Sequence, residues 1–203
     1  MTKPTARTGE RRRQIVGAAI EIIAAQGIRA LTHRAVDARL ELPAGSTSYY
    51  LRTKHALLEA VVHEIAARTT TDFAKAGMTS TAMATPDDAM LAVARWVDYL
   101  LLERGEHIAV RYALAIELSA DPPLHEILAT ALFSQDRAVG LLEFLGAAEP
   151  RSAAADFVSL LEGLVFDRFA AARSLDGVPP GTPESVELLL RPIRTFVRGA
   201  AAG

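Results

Sequence analysis

The chain has 203 residues, enough for one large or two modest domains with a sizeable core. It contains no cysteine, which excludes a disulfide framework, a thiolate zinc site and a cysteine nucleophile, and fits a reducing compartment. Its net charge of −2 hides an asymmetry: residues 1–55 carry ten Lys/Arg against four Asp/Glu, a net of +6, while residues 56–203 carry twelve against twenty, a net of −8.

Residues 1–9 show no periodicity and read as a loose arm, polar and basic, with no apolar run behind it to suggest a signal peptide. From Arg11, the residues Ile15, Ala18, Ala19, Ile22 and Ile23 recur at helical spacing, and Gly27 is a natural stop. Thr32 suits the N-cap of a second helix carrying Ala35, Val36 and Leu40. Pro43 fits the first turn of a third helix, 43–51. Thr53 can cap a fourth, with Leu57, Leu58, Val61, Val62 and Ile65 on its apolar side.

Residues 77–85 read as a loop, and Thr85-Pro86-Asp87-Asp88 as a strong helix start running to about Glu103. Further helices are predicted over about 106–119, 124–145 and 151–173. Thr182-Pro183-Glu184 opens the last helix, to about Gly199, with Pro192 expected to kink it. The prediction is an all-α chain of about nine helices. A small basic N-terminal helical domain over 1–55 is followed by a larger helical domain over 56–203. The apolar run 109–118 is interrupted by Arg111 and Glu117, so no membrane span is expected and the protein is placed in the cytoplasm.

Three features of the basic segment favour DNA. The predicted third helix holds Ala44, Gly45, Ser46, Thr47, Ser48, Tyr49 and Tyr50, small and hydroxyl-bearing where pure packing would want Leu and Ile. Lys54 lies at a helix start, where its charge opposes the dipole unless a phosphate is held there. Arg11, Arg12 and Arg13 crowd the start of helix one, again the wrong end for cations. The alternatives are tyrosines that plug a small core and charges that are merely solvated.

Residues 11–62 resemble the N-terminal domain of the TetR family of bacterial transcriptional regulators. The resemblance is carried by Gly27, by Ala30-Leu31-Thr32 opening helix two, by Val36 and Leu40, and by Leu42-Pro43-Ala44-Gly45-Ser46-Thr47. An aromatic pair and the Thr-Lys start of helix four, followed by Ala56-Leu57-Leu58, complete it. It implies a helix-turn-helix over about 32–51, with a phosphate-contacting hydroxyl at Thr32 beside His33 and Arg34. It also implies a recognition helix bearing Gly45, Ser46 and Thr47, aromatic backbone contacts from Tyr49 and Tyr50, and a phosphate-contacting Lys54. The chain departs from the family pattern at four places. Glu41 stands at the usual turn glycine, Asp37 replaces a small residue, Ser48 occupies the common tyrosine position, and Leu51 replaces phenylalanine. Asp37 and Glu41 are expected to soften the local positive field.

The resemblance places an effector pocket and a dimer surface in the C-terminal helices. The segment 157–166 is apolar on nearly every side, as expected of a helix buried all round. Phe157, Leu161 and Leu164 on it, with Val186, Leu190, Ile193 and Val197 on the last helix, are the candidate dimer interface, the alternative being ordinary core. Candidate ligand-binding residues are Trp96, Tyr99, Arg111, Tyr112, Glu117, Phe133, Phe166 and Phe169. Arg111 and Glu117 need partners or water wherever they lie.

Nothing marks a catalytic centre. The five histidines are scattered, and Glu59 and His63 share a helix face without a second histidine to complete a metal set. There is no G-x-S-x-G elbow and no phosphate loop. The expectation is a non-enzymatic, ligand-responsive homodimer without cofactor or metal, binding a palindromic DNA operator, most naturally as a repressor. The alternatives are an all-helical enzyme and a protein-binding adaptor.

Overall fold

The computed structural model describes residues 4–76 and 84–202, with side chains from Thr8 onward. Among the described residues there are ten α-helices and no strand, the all-α architecture expected. They are α1 (Pro4–Gln26), α2 (His33–Arg39), α3 (Ser46–Tyr50), α4 (Lys54–Lys75), α5 (Pro86–Glu103), α6 (Gly105–Glu117), α7 (Pro122–Thr130), α8 (Gln135–Phe144), α9 (Pro150–Ala170) and α10 (Pro183–Ala202).

The local start signals act as read. Thr32 accepts from the Ala35 N–H at 3.0 Å, Thr53 from Ala56 at 3.0 Å, Thr85 from Asp88 at 3.2 Å and Thr182 from Ser185 at 3.2 Å. Three boundaries differ from expectation. The arm expected over 1–9 is helical from Pro4, a proline well suited to a first helical position. The third helix begins at Ser46 instead of Pro43, because Gly45 adopts a left-handed φ of 90° that no helix interior accommodates. The single helix expected over 124–145 is two, since Ser134 accepts from the Arg137 N–H at 3.4 Å and starts α8 afresh. Most of the loop expected over 77–85 lies outside the described residues. α10 continues through Pro192, whose missing N–H removes one helical bond.

The chain divides into two compact units, residues 1–68 with 106–129, and residues 69–105 with 130–203. The expected DNA-binding segment, 1–55, lies within the first. The core of that unit joins Ile15, Ala19 and Ile22 of α1 to Leu31, Val36, Leu57 and Val61, and to Val110, Leu114 and Leu128 from α6 and α7. Each such side chain contributes roughly 1.5–3 kcal/mol by leaving water. Arg39 of α2 pairs with Glu21 of α1 at 2.6 Å, and α3 packs on α2.

In the second unit α8 packs on α9, α10 packs on α5, and α9 touches both α5 and α10. A buried polar node ties the last three. Asp98 accepts from the Ser185 hydroxyl at 2.6 Å and from the Gly181 N–H at 2.9 Å. Arg168 donates to the Ser185 oxygen at 3.0 Å and to the Val178 carbonyl at 2.7 Å. Among the described residues no helix is long and apolar enough to cross a membrane.

Candidate nucleic-acid interface and ligand cavity

In the first unit, α2 and α3 are locked by one carboxylate. Asp37 is buried, and its two oxygens accept from the Gly45 N–H at 2.8 Å, the Thr47 N–H at 2.8 Å and the Thr47 hydroxyl at 2.6 Å. Gly45, the N-cap of α3, has no side chain to cap with, so Asp37 supplies the cap from eight residues upstream. Burial by itself raises the Asp37 carboxyl. The Thr47 hydroxyl, the Thr47 and Gly45 N–H groups and the nearby His33 outweigh it and hold the group below its ordinary value. Asp37 is thus held as a hydrogen-bonded carboxylate inside the module and does not stand on its surface as an acidic group. Glu41 has φ 53°, the left-handed conformation that a glycine adopts without strain.

The structure places the expected contact residues as follows. Thr47 is 0 % exposed and bound to Asp37, so its side chain does not reach the surface. Ala44, Gly45 and Tyr49 are exposed, and Ser46, Ser48 and Tyr50 half-buried. Ser46 donates its hydroxyl to the Pro43 carbonyl at 2.6 Å and Ser48 to the Gly45 carbonyl at 2.8 Å, which leaves their oxygens as acceptors. Tyr49 is 81 % exposed and meets Tyr50 edge-on at 5.1 Å, so it does not plug the core. An open concavity of 640 Å³ is lined by Thr8, Gly45, Ser48, Tyr49, Tyr50 and Arg52. Arg52, missed in the sequence, lies between the aromatic pair and the helix-four start, a position no periodicity marks.

Around this helix, Thr32 and Arg34 are exposed. His33 is half-buried and its Nε2 hydrogen-bonds the Leu51 carbonyl at 2.6 Å, a structural role at the end of α3. Lys54 is exposed in the first turn of α4 and donates to the Ile28 carbonyl at 3.3 Å. Arg12 is exposed, Arg11 half-buried, and Arg13 is paired with Glu10.

The second unit holds a cavity of 470 Å³. Its wall is mainly aromatic and aliphatic: Phe73, Trp96, Phe133, Phe144, Phe157, Leu132, Leu141, Leu161, Val93 and Val158. Ser134 and Arg137 form the polar part, and Ala138 and Gly140 complete the wall. Trp96 meets Phe73 edge-on at 5.4 Å and stacks on Tyr99 at 5.6 Å. Of the eight expected ligand residues, Trp96 and Phe133 line this cavity. Tyr99 backs Trp96 and accepts from Arg104 at 3.3 Å, while Arg104 itself pairs with Asp72 at 2.5 Å.

The others are elsewhere. Arg111 is buried in the first unit, donating to the Leu128 carbonyl at 3.0 Å with its guanidinium 5.5 Å from the Tyr112 ring. Glu117 is exposed, and Phe166 is 48 % exposed. Phe169 lines a separate pocket of 340 Å³ beside Leu101 and Arg168. Sequence reasoning missed Phe73, Phe144 and Arg137.

The expected dimer residues are mostly internal. Phe157, Leu161, Leu164, Leu190, Ile193 and Val197 are buried within the chain, and Phe157 and Leu161 line the cavity. Of the set, Val186 alone is half-buried. A side chain already enclosed by its own chain has little area left to give a partner.

Comparison with known proteins follows the same lines. A family described as tetracyclin repressor-like, C-terminal domain, matches residues 84–198. No curated protein sequence matches the chain. A transcriptional regulator from Rhodococcus sp. Rha1 is similar in fold with a TM-score of 0.75 and 22% identity, covering 94% of this chain and 97% of its own. A member of the TetR family from Streptomyces coelicolor A3 gives 0.64 at 25% identity, covering 90% and 97%. The multidrug binding protein EbrR, complexed with malachite green, gives 0.65 at 24% identity, covering 92% and 98%.

Proposed function

The chain belongs to the TetR family of transcriptional regulators, ligand-responsive DNA-binding proteins, and we propose that it works as a homodimeric repressor. In this reading the ligand-free dimer occupies a palindromic operator, and a small molecule in the 470 Å³ cavity shifts it to a form with poorly matched reading heads. The observation that carries the DNA contact is the display of α3. It is pinned from behind by Asp37 and presents Tyr49, 81 % exposed, beside Arg52. An aromatic side chain so exposed loses its packing unless another surface covers it. Thr32, Arg34 and Lys54 supply phosphate contacts in this reading, and His33 and Thr47 hold the module together.

Coupling is supported by one helix: α4 carries Lys54 in its first turn and the cavity residue Phe73 near its end. The capture of malachite green by EbrR supports a ligand-taking second unit. For the dimer face we assign the stripe that α9 leaves exposed, Ser159, Gly163 and Phe166, which is small and apolar enough for close approach about a two-fold axis. The protein is placed in the cytoplasm with its DNA.

Lys54→Ala tests the interface. It is expected to weaken binding to every duplex alike and to reduce the slope of log affinity against log salt by about 1. Fluorescence anisotropy across a salt series measures this, and an unchanged slope removes Lys54 from the interface.

A further inference from the structure

The cavity of the second unit offers hydrogen-bond donors and a positive charge, and among the described residues no carboxylate lines it. Arg137 is the charged residue of the wall. Its guanidinium carbon lies 4.2 Å from the centre of the Phe73 ring, a cation–π contact that occupies one face of the group and leaves its N–H edges available. Among the described residues Arg137 forms no ion pair. It also stands in the first turn of α8, where the helix dipole opposes a cation. Asp136 in the same turn is exposed and does not line the cavity.

Ser134, the cap of α8, adds a hydroxyl to the same wall. Trp96 also lines the cavity, and its buried Nε1–H finds no hydrogen-bond partner among the described residues. A buried indole N–H ordinarily has an acceptor, because leaving it unpaired is costly. The rest of the wall is rings and aliphatic chains.

Resting on the ligand-responsive reading above, we infer that this cavity takes an organic acid, a molecule with an apolar body and one carboxylate held by Arg137. The carboxylate answers the guanidinium and the N-terminal end of α8 together. The apolar body covers the rings of Phe73, Trp96 and Phe133. The 470 Å³ volume suits a body of drug-like size, within the roughly 300–1,000 Å³ of pockets that enclose such ligands. A quaternary ammonium of the same shape would meet the guanidinium as a like charge.

The chain's single tryptophan is Trp96, so its fluorescence reports on this wall directly. The full-length protein is titrated with decanoate, decanol and decyltrimethylammonium, each below its micelle concentration. Decanoate is expected to shift the emission saturably, at least about tenfold tighter than either of the others. In Arg137→Gln that preference over decanol should vanish while decanol binding stays as it was. Since Arg137 is exposed, its circular dichroism and melting should be unchanged. A preference for decanol or the ammonium in the parent protein overturns the acid class and leaves a ligand-taking cavity standing. Preference for decanoate that survives Arg137→Gln overturns the role of Arg137. Silence to all three overturns both the acid class and the cavity as the effector site.

Discussion

Asp37→Ala is expected to destabilise the chain by about 3–5 kcal/mol and to abolish DNA binding. The carboxylate accepts three hydrogen bonds in a site that is 3 % exposed. Alanine leaves the Gly45 and Thr47 N–H groups and the Thr47 hydroxyl without an acceptor, and α3 is too short to persist without its cap. Thermal and urea unfolding of the full chain, with anisotropy on a duplex, read both effects. The sign of the pH dependence follows from the lowered pKa. A group depressed on folding stabilises fully above its ordinary value near 3.8 and loses that contribution as pH falls through the folded value. The gap between parent and Asp37→Ala should therefore be full at neutral pH and narrow as pH falls below the ordinary value of 3.8. A loss under about 1 kcal/mol at neutral pH would show that α3 is held by packing alone.

Asp98→Ala should cost a similar amount, about 3–5 kcal/mol, through the second unit. Asp98 joins α5 to the Gly181 N–H and to Ser185 at the start of α10, and Ser185 in turn accepts from the buried Arg168 of α9. Its removal strands a buried hydroxyl, an N–H and a guanidinium that has lost its nearby anion. Asp98→Asn keeps one acceptor and is expected to fall between the two. The measurement is the unfolding free energy in urea. Equal stability of Asp98→Ala and the parent would mean that water replaces the carboxylate and that the node is not a structural one.

The helix starts could be read from the sequence wherever the cap is local, as at Thr32, Thr53, Thr85 and Thr182. The start of α3 could not, because its cap is a carboxylate eight residues away and Gly45 turns left-handed before it. Pro43 imitated a start there. Asp37, read as a departure that weakens the positive field, is the residue that holds α3. The break between α7 and α8 was missed although Ser134-Gln135-Asp136, a capping hydroxyl with an acid in the first turn, is itself a local start signal.

Periodicity tells that a face is buried but not what buries it. For that reason Phe157, Leu161, Leu164, Leu190, Ile193 and Val197 read as a dimer face while the structure encloses them in their own unit. Aromatic residues inside apolar helices pointed to Trp96 and Phe133. Phe73, Phe144 and Arg137 carry no sequence signal that sets them apart from an apolar stripe or a solvated charge. Arg111 looked like a ligand group because a charge in an apolar helix needs a partner. That partner is the Leu128 carbonyl in the last turn of α7, where a cation is also favoured by the dipole.

The most direct test is selection from a pool of random-sequence duplexes by the purified full-length protein, with the recovered pool sequenced. A regulator of the proposed kind enriches an inverted repeat whose half-site centres lie about one helical turn or a multiple apart. The same selection with Asp37→Ala should return nothing above background. An unenriched pool, or an enriched site without two-fold symmetry, would contradict a dimer that reads a palindrome with α3.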